Sequence, residues 1–383
     1  MSDATLSDVE IVTESSRLAE VITDASRRPR VALDIESNGF HRYPERICLF
    51  QLAVDGSLFL IDPTTALDPG PLGELLADAL VEKVLHAADY DLRSLDRDLG
   101  YRIRNLFDTS IAAAFVGSTS LGLAAVLQEY LRVGIPKSKR LQRSDWTNRP
   151  LTLEAQHYAA EDVRHLEHVR DVLVQRLSCL SRLEWVAEEC ERLAQVKYKP
   201  PDREWAFASV KGSRTLDGRG LAVLRSLYRF RHREAVRMDR PPFRVIPDAV
   251  LVGLASDPHT DLADVKGLGR FRDPPASGRL LSAVRDGLRA SPVRRPKSPT
   301  RNNRHRIARG QQVRARLRNL KEWRADLGRL MALDPGLLWP AASLERLAAS
   351  PESLDDELEK PDVRRWQQRE FGTSIRGFLA TLR

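Results

Sequence analysis

Four acids and a phenol are the residues of this chain whose types and spacing could do chemistry. In Val31-Ala-Leu-Asp-Ile-Glu36 an apolar run ends in two acids, and residues i and i+2 of a strand face one side, so Asp34 and Glu36 project together. Two carboxylates held side by side repel unless a cation lies between them. In Tyr158-Ala-Ala-Glu-Asp162 the sequence is helical, and the i,i+4 spacing sets Tyr158 and Asp162 on one face. Between these segments, His86-Ala-Ala-Asp89-Tyr90-Asp91-Leu92 follows the apolar pair Val84-Leu85, so it joins a strand end to a helix start. Spacing alone lets either Asp89 or Asp91 face the site, and Asp89 could equally cap the helix.

Clustered Asp and Glu are the ligand set of Mg²⁺ or Mn²⁺, hard ions that prefer oxygen. Two such ions about 4 Å apart activate water and compensate the charge that builds on a phosphodiester during hydrolysis. The expectation is therefore two divalent metal ions, Mg²⁺ or Mn²⁺. Asp34 bridges both, Glu36 and Asp162 hold the ion that carries the attacking water, the middle acid helps the second, and Tyr158 orients the water.

The elements that must position these groups alternate up to about residue 195. Strands are expected at Val31 to Leu33, Ile47 to Ala53, Leu58 to Ile61 and Lys83 to His86. Helices are expected near Pro71 to Leu80, Asp91 to Leu99, Ser110 to Val116 and Leu121 to Leu131. A long helical stretch then runs from Thr152, a plausible N-cap, towards Leu177, and a second from Leu180 to about Lys197. This pattern is that of an α/β or α+β domain. After the linker Tyr198-Lys-Pro-Pro-Asp-Arg the periodicity is purely helical. It contains a weak repeat: Tyr228 to Glu234, Pro241-Pro-Phe and Ile246 to Leu251 match Leu320 to Arg324, Asp334-Pro-Gly and Leu338 to Leu344.

The chain has 383 residues, a length that predicts two or three domains, and its 42% hydrophobic and 30% charged residues describe a soluble globular protein. No run approaches the eighteen or so apolar residues of a membrane span. The acidic start, Met-Ser-Asp-Ala, has no apolar signal core, so a cytoplasmic protein is expected. Cys48, Cys179 and Cys190 lack a metal-binding spacing and are expected to be reduced thiols. The net charge of +8 is local: residues 293–318 carry ten Lys or Arg and no acid, and the remainder is slightly acidic. Such a stretch attracts polyanions through a salt-dependent, sequence-independent field.

Taken together, Asp34-Ile-Glu36, His86 to Leu92, Leu106-Phe-Asp-Thr-Ser-Ile-Ala-Ala113 and Tyr158 to Asp162 resemble the exonuclease motifs of ribonuclease D, a family in the DEDDy division of 3'-to-5' exonucleases. Leu141 to Leu151 is also similar to the family's segment ahead of its last motif, and the family pattern His-x-x-x-x-Asp selects Asp91 over Asp89. Ile35 departs from the family's first motif, standing between the two acids where the family more often has threonine. The region from Leu224 to Leu254 is similar to the HRDC helical module, and residues 313–383 resemble a diverged second copy. The resemblance implies a ribonuclease H-like α/β exonuclease domain, a mixed sheet flanked by helices, over residues 8–197. Two all-α HRDC-like domains follow, at 213–292 and 313–383, with a basic linker at 293–312. It implies an exoribonuclease that trims RNA 3' ends, such as those of precursor tRNA, and releases nucleoside 5'-monophosphates, with no obligate protein partner. A DNA 3'-to-5' exonuclease and an inactive nucleic-acid-binding scaffold are the alternatives, since the acids act on phosphate and do not distinguish the sugar.

Other residues have blander readings beside the functional ones. His86 reads as a structural hydrogen-bonding histidine, Asp108 as an N-cap, and His157 and Glu161 as solvent-exposed neighbours of the Tyr158 and Asp162 face. Lys137, Lys139, Arg140 and Arg143 could grip phosphates while Trp146 stacks on a base, or they could form a solvated loop around a core tryptophan. Tyr228, Trp323, Trp339 and Trp366 recur at module positions and read as core.

Overall fold

The computed structural model describes residues 9–135, 138–202, 204–295 and 305–382. The chain opens with β1 (Val9–Val12), α1 (Ser15–Ala25), β2 (Arg30–Ser37), β3 (Ile47–Val54) and β4 (Ser57–Ile61). It continues through α2 (Gly70–Ala77), β5 (Glu82–Leu85), α3 (Asp89–Asp98), β6 (Leu106–Asp108) and α4 (Thr109–Val116). The domain is completed by α5 (Leu123–Tyr130), α6 (Lys139–Gln142), α7 (Leu153–Arg164), α8 (Leu166–Cys179) and α9 (Leu183–Ala194).

The six strands form one mixed sheet in the order β1-β4-β3-β2-β5-β6. β3 runs antiparallel to β2 and β4, and the other neighbours are parallel. Every residue of β3 is buried, because helices cover both faces of the sheet, and its sequence is accordingly an almost unbroken apolar run. After Arg30, β2 is apolar from Val31 through Leu33 and turns acidic only in its C-terminal half. The helix α1 buries Leu18, Val21, Ile22 and Ala25, the i, i+3, i+4, i+7 stripe of an amphipathic surface helix.

The long helix expected from Thr152 is two: α7 ends at Arg164, and His165, with φ −109° and ψ 1°, breaks the backbone before α8. The break lets α7 lie across β3 and β4 while α8 packs on α4 and on the interior strands β2 and β5. Strands β1 and β6 and helix α1 add to the expected elements.

Two helical modules follow. The first has α10 (Gly218–Met238), α11 (Pro242–Val245), α12 (Asp248–Ser256) and α13 (Ala276–Arg289). The second has α14 (His305–Met331), α15 (Pro335–Leu338), α16 (Ala341–Ala349), α17 (Leu354–Leu358) and α18 (Arg365–Thr381). The repeat is visible in one hydrogen bond made twice: Arg231 Nη1 donates to the Ile246 carbonyl at 2.9 Å, and Arg324 Nη1 donates to the Trp339 carbonyl at 2.9 Å. Residues 296–304 of the basic linker lie outside the described residues, and the chain is already helical from His305, inside the stretch expected as linker.

The modules attach differently. The first has its own core around Leu224, Leu227, Phe230, Ile246 and Leu280. It meets the sheet domain at the loop after β2, where Arg42 pairs with Asp239 at 3.2 Å and the Tyr43 N–H donates to Asp239 at 3.1 Å. The second shares one core with the sheet domain. Phe115 packs edge-on against both Trp185 and Trp366, Arg364 pairs with Glu189 at 2.8 Å, and the Glu188 carboxylate accepts the Arg365 and Trp366 N–H groups at the start of α18. Trp323, Trp339 and Trp366 are buried, and Tyr228 is partly buried and stacked on His232. Among the described residues no helix is long and apolar enough to cross a membrane, and all three cysteines are free thiols.

Candidate active site

The site is built where β2 ends. Asp34 pairs across the sheet with Gln51 and Glu36 with Leu49, and the register slips between Glu36 and Ser37. That bulge ends the regular pairing just past the second acid. Ile35, pointing the other way, is buried in the main core.

The turn after β5 is set by Asp108. Its carboxylate accepts from Ser110 at 2.8 Å and Ile111 at 3.1 Å, which caps α4 as expected, and also from Ala88 at 2.8 Å and Ala87 at 3.2 Å. Ala87 takes φ +57°, a left-handed conformation that a residue with a Cβ rarely adopts, and those two bonds hold it there. His86 Nδ1 lies 2.8 Å from the Thr109 hydroxyl, which itself donates to the Leu85 carbonyl, so the histidine is tied into the same turn. The turn aims α3 so that Asp91 is buried, while Asp89 is exposed and paired with Arg93 at 2.8 Å.

On the other side, the Thr152 hydroxyl caps α7 by accepting from Ala155, and Tyr158 and Asp162 follow on one face. One oxygen each of Asp34, Glu36 and Asp162 can be chosen so that all lie within 4.8 Å of one another. Asp91 stands beside this triplet, near enough for its charge to act on Glu36 and for Asp34 to act on it. Burial pushes the Asp34 carboxyl up to about 7. Burial and then the Asp34 charge push Asp162 to about 8. Glu36 and Asp91 are raised well above the carboxylate range, first by burial and then by the other acids. Burial and the Asp162 charge raise the Tyr158 phenol too, so it stays protonated.

No arginine or lysine among the described residues pairs with these acids, and the donor set consists only of hard oxygens. An arrangement this costly in charge fits a divalent cation of the Mg²⁺ or Mn²⁺ type.

Several expectations need correction. Trp146, for which base stacking and a core position were both open, is 1% exposed and takes the core position; it lies under α7 with Leu49, Leu60 and Ala159, its ring 6.2 Å from that of Tyr158. Its faces are covered, so it supports the phenol from behind. His157 and Glu161 are partly buried and line a cavity of about 290 Å³ with Tyr158 and Asp162, and Glu161 pairs with Arg164. Of the basic residues, Lys137 lies outside the described residues and Arg140 is engaged by Glu154. Lys139 is exposed, and so is Arg143, which sits 5.9 Å over the ring of Phe40.

Sequence reasoning missed the rim. Phe40 and Tyr90 are about half exposed, and the Tyr90 hydroxyl lies 2.9 Å from Ser37 Oγ, next to Glu36. It also passed over Gln51, whose signal was a single amide inside the apolar run of β3.

Residues 9–178 match the family model described as a 3'-5' exonuclease, and residues 220–276 match the HRDC domain. A ribonuclease D of Gluconacetobacter diazotrophicus is 34% identical over 289 residues, covering 74% of this chain and 73% of that protein. A ribonuclease D of Granulibacter bethesdensis is 31% identical over 368 residues, 94% of this chain and 90% of that protein. The crystal structure of Escherichia coli RNase D superposes with a TM-score of 0.69 at 24% identity, covering 97% of this chain and 98% of that one.

Proposed function

The chain belongs to the ribonuclease D family, and from that premise we propose that it is a metal-dependent 3'-to-5' exoribonuclease that trims the 3' ends of structured RNA such as precursor tRNA, releasing nucleoside 5'-monophosphates. The observation that carries the reading is the convergence of Asp34, Glu36 and Asp162, with Asp91 and Tyr158 beside them. RNA is favoured over DNA because the likeness to ribonuclease D runs nearly the whole chain, helical modules included.

Two divalent ions, held by Asp34, Glu36, Asp91 and Asp162, would acidify the attacking water and neutralise charge on the scissile phosphate when bound. The residues of the chain do the positioning. Asp34 and Glu36 share one strand face, so their separation is fixed by the sheet. Tyr158, kept protonated by its surroundings and backed by Trp146, presents an O–H that orients the water for in-line attack. Lys139 and Arg143, both exposed, would contact phosphates of the entering strand, and the helical modules would hold the RNA body. The site would act on RNA in the cytoplasm.

The test uses purified protein and 3'-labelled RNA with Mn²⁺. Asp34→Asn and Asp162→Asn should each abolish release of mononucleotides while RNA binding remains measurable; persistent activity in both would refute the assignment.

A further inference from the structure

We propose that Gln51 is a positioning residue that holds the Asp34 carboxylate in its ligand orientation, a role that rests on the reading of the acids given above. β3 is apolar from Ile47 to Val54 except at this residue. Gln51 stands directly opposite Asp34 on β2 and Leu60 on β4, and residues paired in this way project from the same face of a sheet, with Cβ atoms about 4.5–5.5 Å apart. Its side chain is therefore the nearest cross-strand neighbour of the acid at the centre of the site.

The amide is fully buried, and among the described residues neither its oxygen nor its nitrogen has a hydrogen-bonding partner. A buried amide left unpaired at both ends lowers stability, and any apolar side chain of similar length would avoid that loss. One complementary group lies in the same layer: the Trp146 indole Nε1 is buried and also without a partner among the described residues, and Trp146 packs with Leu49 and Leu60, the residues flanking Gln51 on the two strands. The amide oxygen can accept from that N–H, and the amide nitrogen can donate to the Asp34 carboxylate. The terminal torsion of glutamine is soft, so the amide can turn to meet the carboxylate. Gln51 would then link the tryptophan behind Tyr158 to the acid in front of it, coupling both sides of the site.

Gln51→Leu and Gln51→Met remove the amide at nearly constant volume. With metal chelated, both variants should melt at or above the temperature of the parent protein. Their Mn²⁺ affinity by calorimetry should be weaker by roughly 10- to 100-fold, and kcat on RNA lower by a similar factor with KM unchanged. Unchanged Mn²⁺ affinity would overturn the proposal, and so would a lowered melting temperature with intact Mn²⁺ binding or failure of both variants to fold, since each makes Gln51 merely structural. Asp34→Asn is measured alongside. If it binds Mn²⁺ as the parent does, the ligand assignment itself has failed; if it alone loses Mn²⁺, only the role of Gln51 has.

Discussion

Trp185 of α9 lies flat on Trp366 of α18, ring centroids 4.6 Å apart and planes within 15°. The catalytic domain and the second helical module thus meet through stacked indoles inside one apolar core, while the first module keeps a core of its own. Trp366→Ala should cost about 3–5 kcal/mol. The loss should appear in the unfolding of the catalytic domain, followed by denaturant melts with a probe on the sheet. A melt in which only the second module is destabilised would contradict the shared core.

Asp108 caps α4 and holds the backbone of the turn that aims Asp91. Asp108→Ala should therefore lose about 1 kcal/mol for the cap, and a further ~1–3 kcal/mol for the stranded N–H of Ala88. It should also lower kcat by displacing Asp91. Chemical denaturation and single-turnover RNA hydrolysis read the two effects; a destabilised variant with unchanged kcat would mean that the turn does not aim α3.

Tyr158→Phe keeps the ring against Trp146 and removes only the hydroxyl. Activity on RNA should fall on the order of 10²-fold, the scale of losing one oriented hydrogen-bond donor in an active site. KM and melting temperature should hold, because the packing is unchanged. Parent-like turnover would remove the phenol from the mechanism.

Without metal, Asp34 and Asp162 titrate near about 7 and about 8, above the ordinary 3.8 of an unfolded aspartate. The folded state then binds more protons than the unfolded one between those limits, so the metal-free protein loses stability as pH rises from about 4 to about 8. A divalent ion must displace the same protons, so Mn²⁺ affinity should rise with pH and level off above about pH 8. Melting curves from pH 5 to 8.5, with chelator and with Mn²⁺, should diverge as pH increases. Parallel curves would show that the acids do not share a site with the ion.

The acids were legible in the sequence because their spacing obeys the two periods of the backbone: i,i+2 at the end of β2 and i,i+4 in α7. Choosing Asp91 over Asp89 took the family pattern; in the structure Asp91 is buried, whereas Asp89 is exposed and paired with Arg93. β1 and β6 are short, four and three residues, and a strand that short has too few alternations to declare itself. The break at His165 carries no proline or glycine and arises from the packing of α7 and α8 on different parts of the sheet. The two readings of Trp146 could not be separated, and Glu161 was misread, for a related cause: local sequence reports polarity, whereas what covers a side chain comes from elements far along the chain.

The way the second module joins the sheet domain limits how this gene can be cut. Translation that stops before α18 would leave Phe115 and Trp185 facing water, an apolar patch of the kind that draws chains together. The product would be an aggregation-prone fragment, cleared by quality-control proteases, rather than a smaller nuclease. The catalytic domain of this chain is therefore not a portable cassette, and expression trials that seek the minimal active unit should keep the C-terminal helices and trim, if anywhere, within the module that stands on its own core.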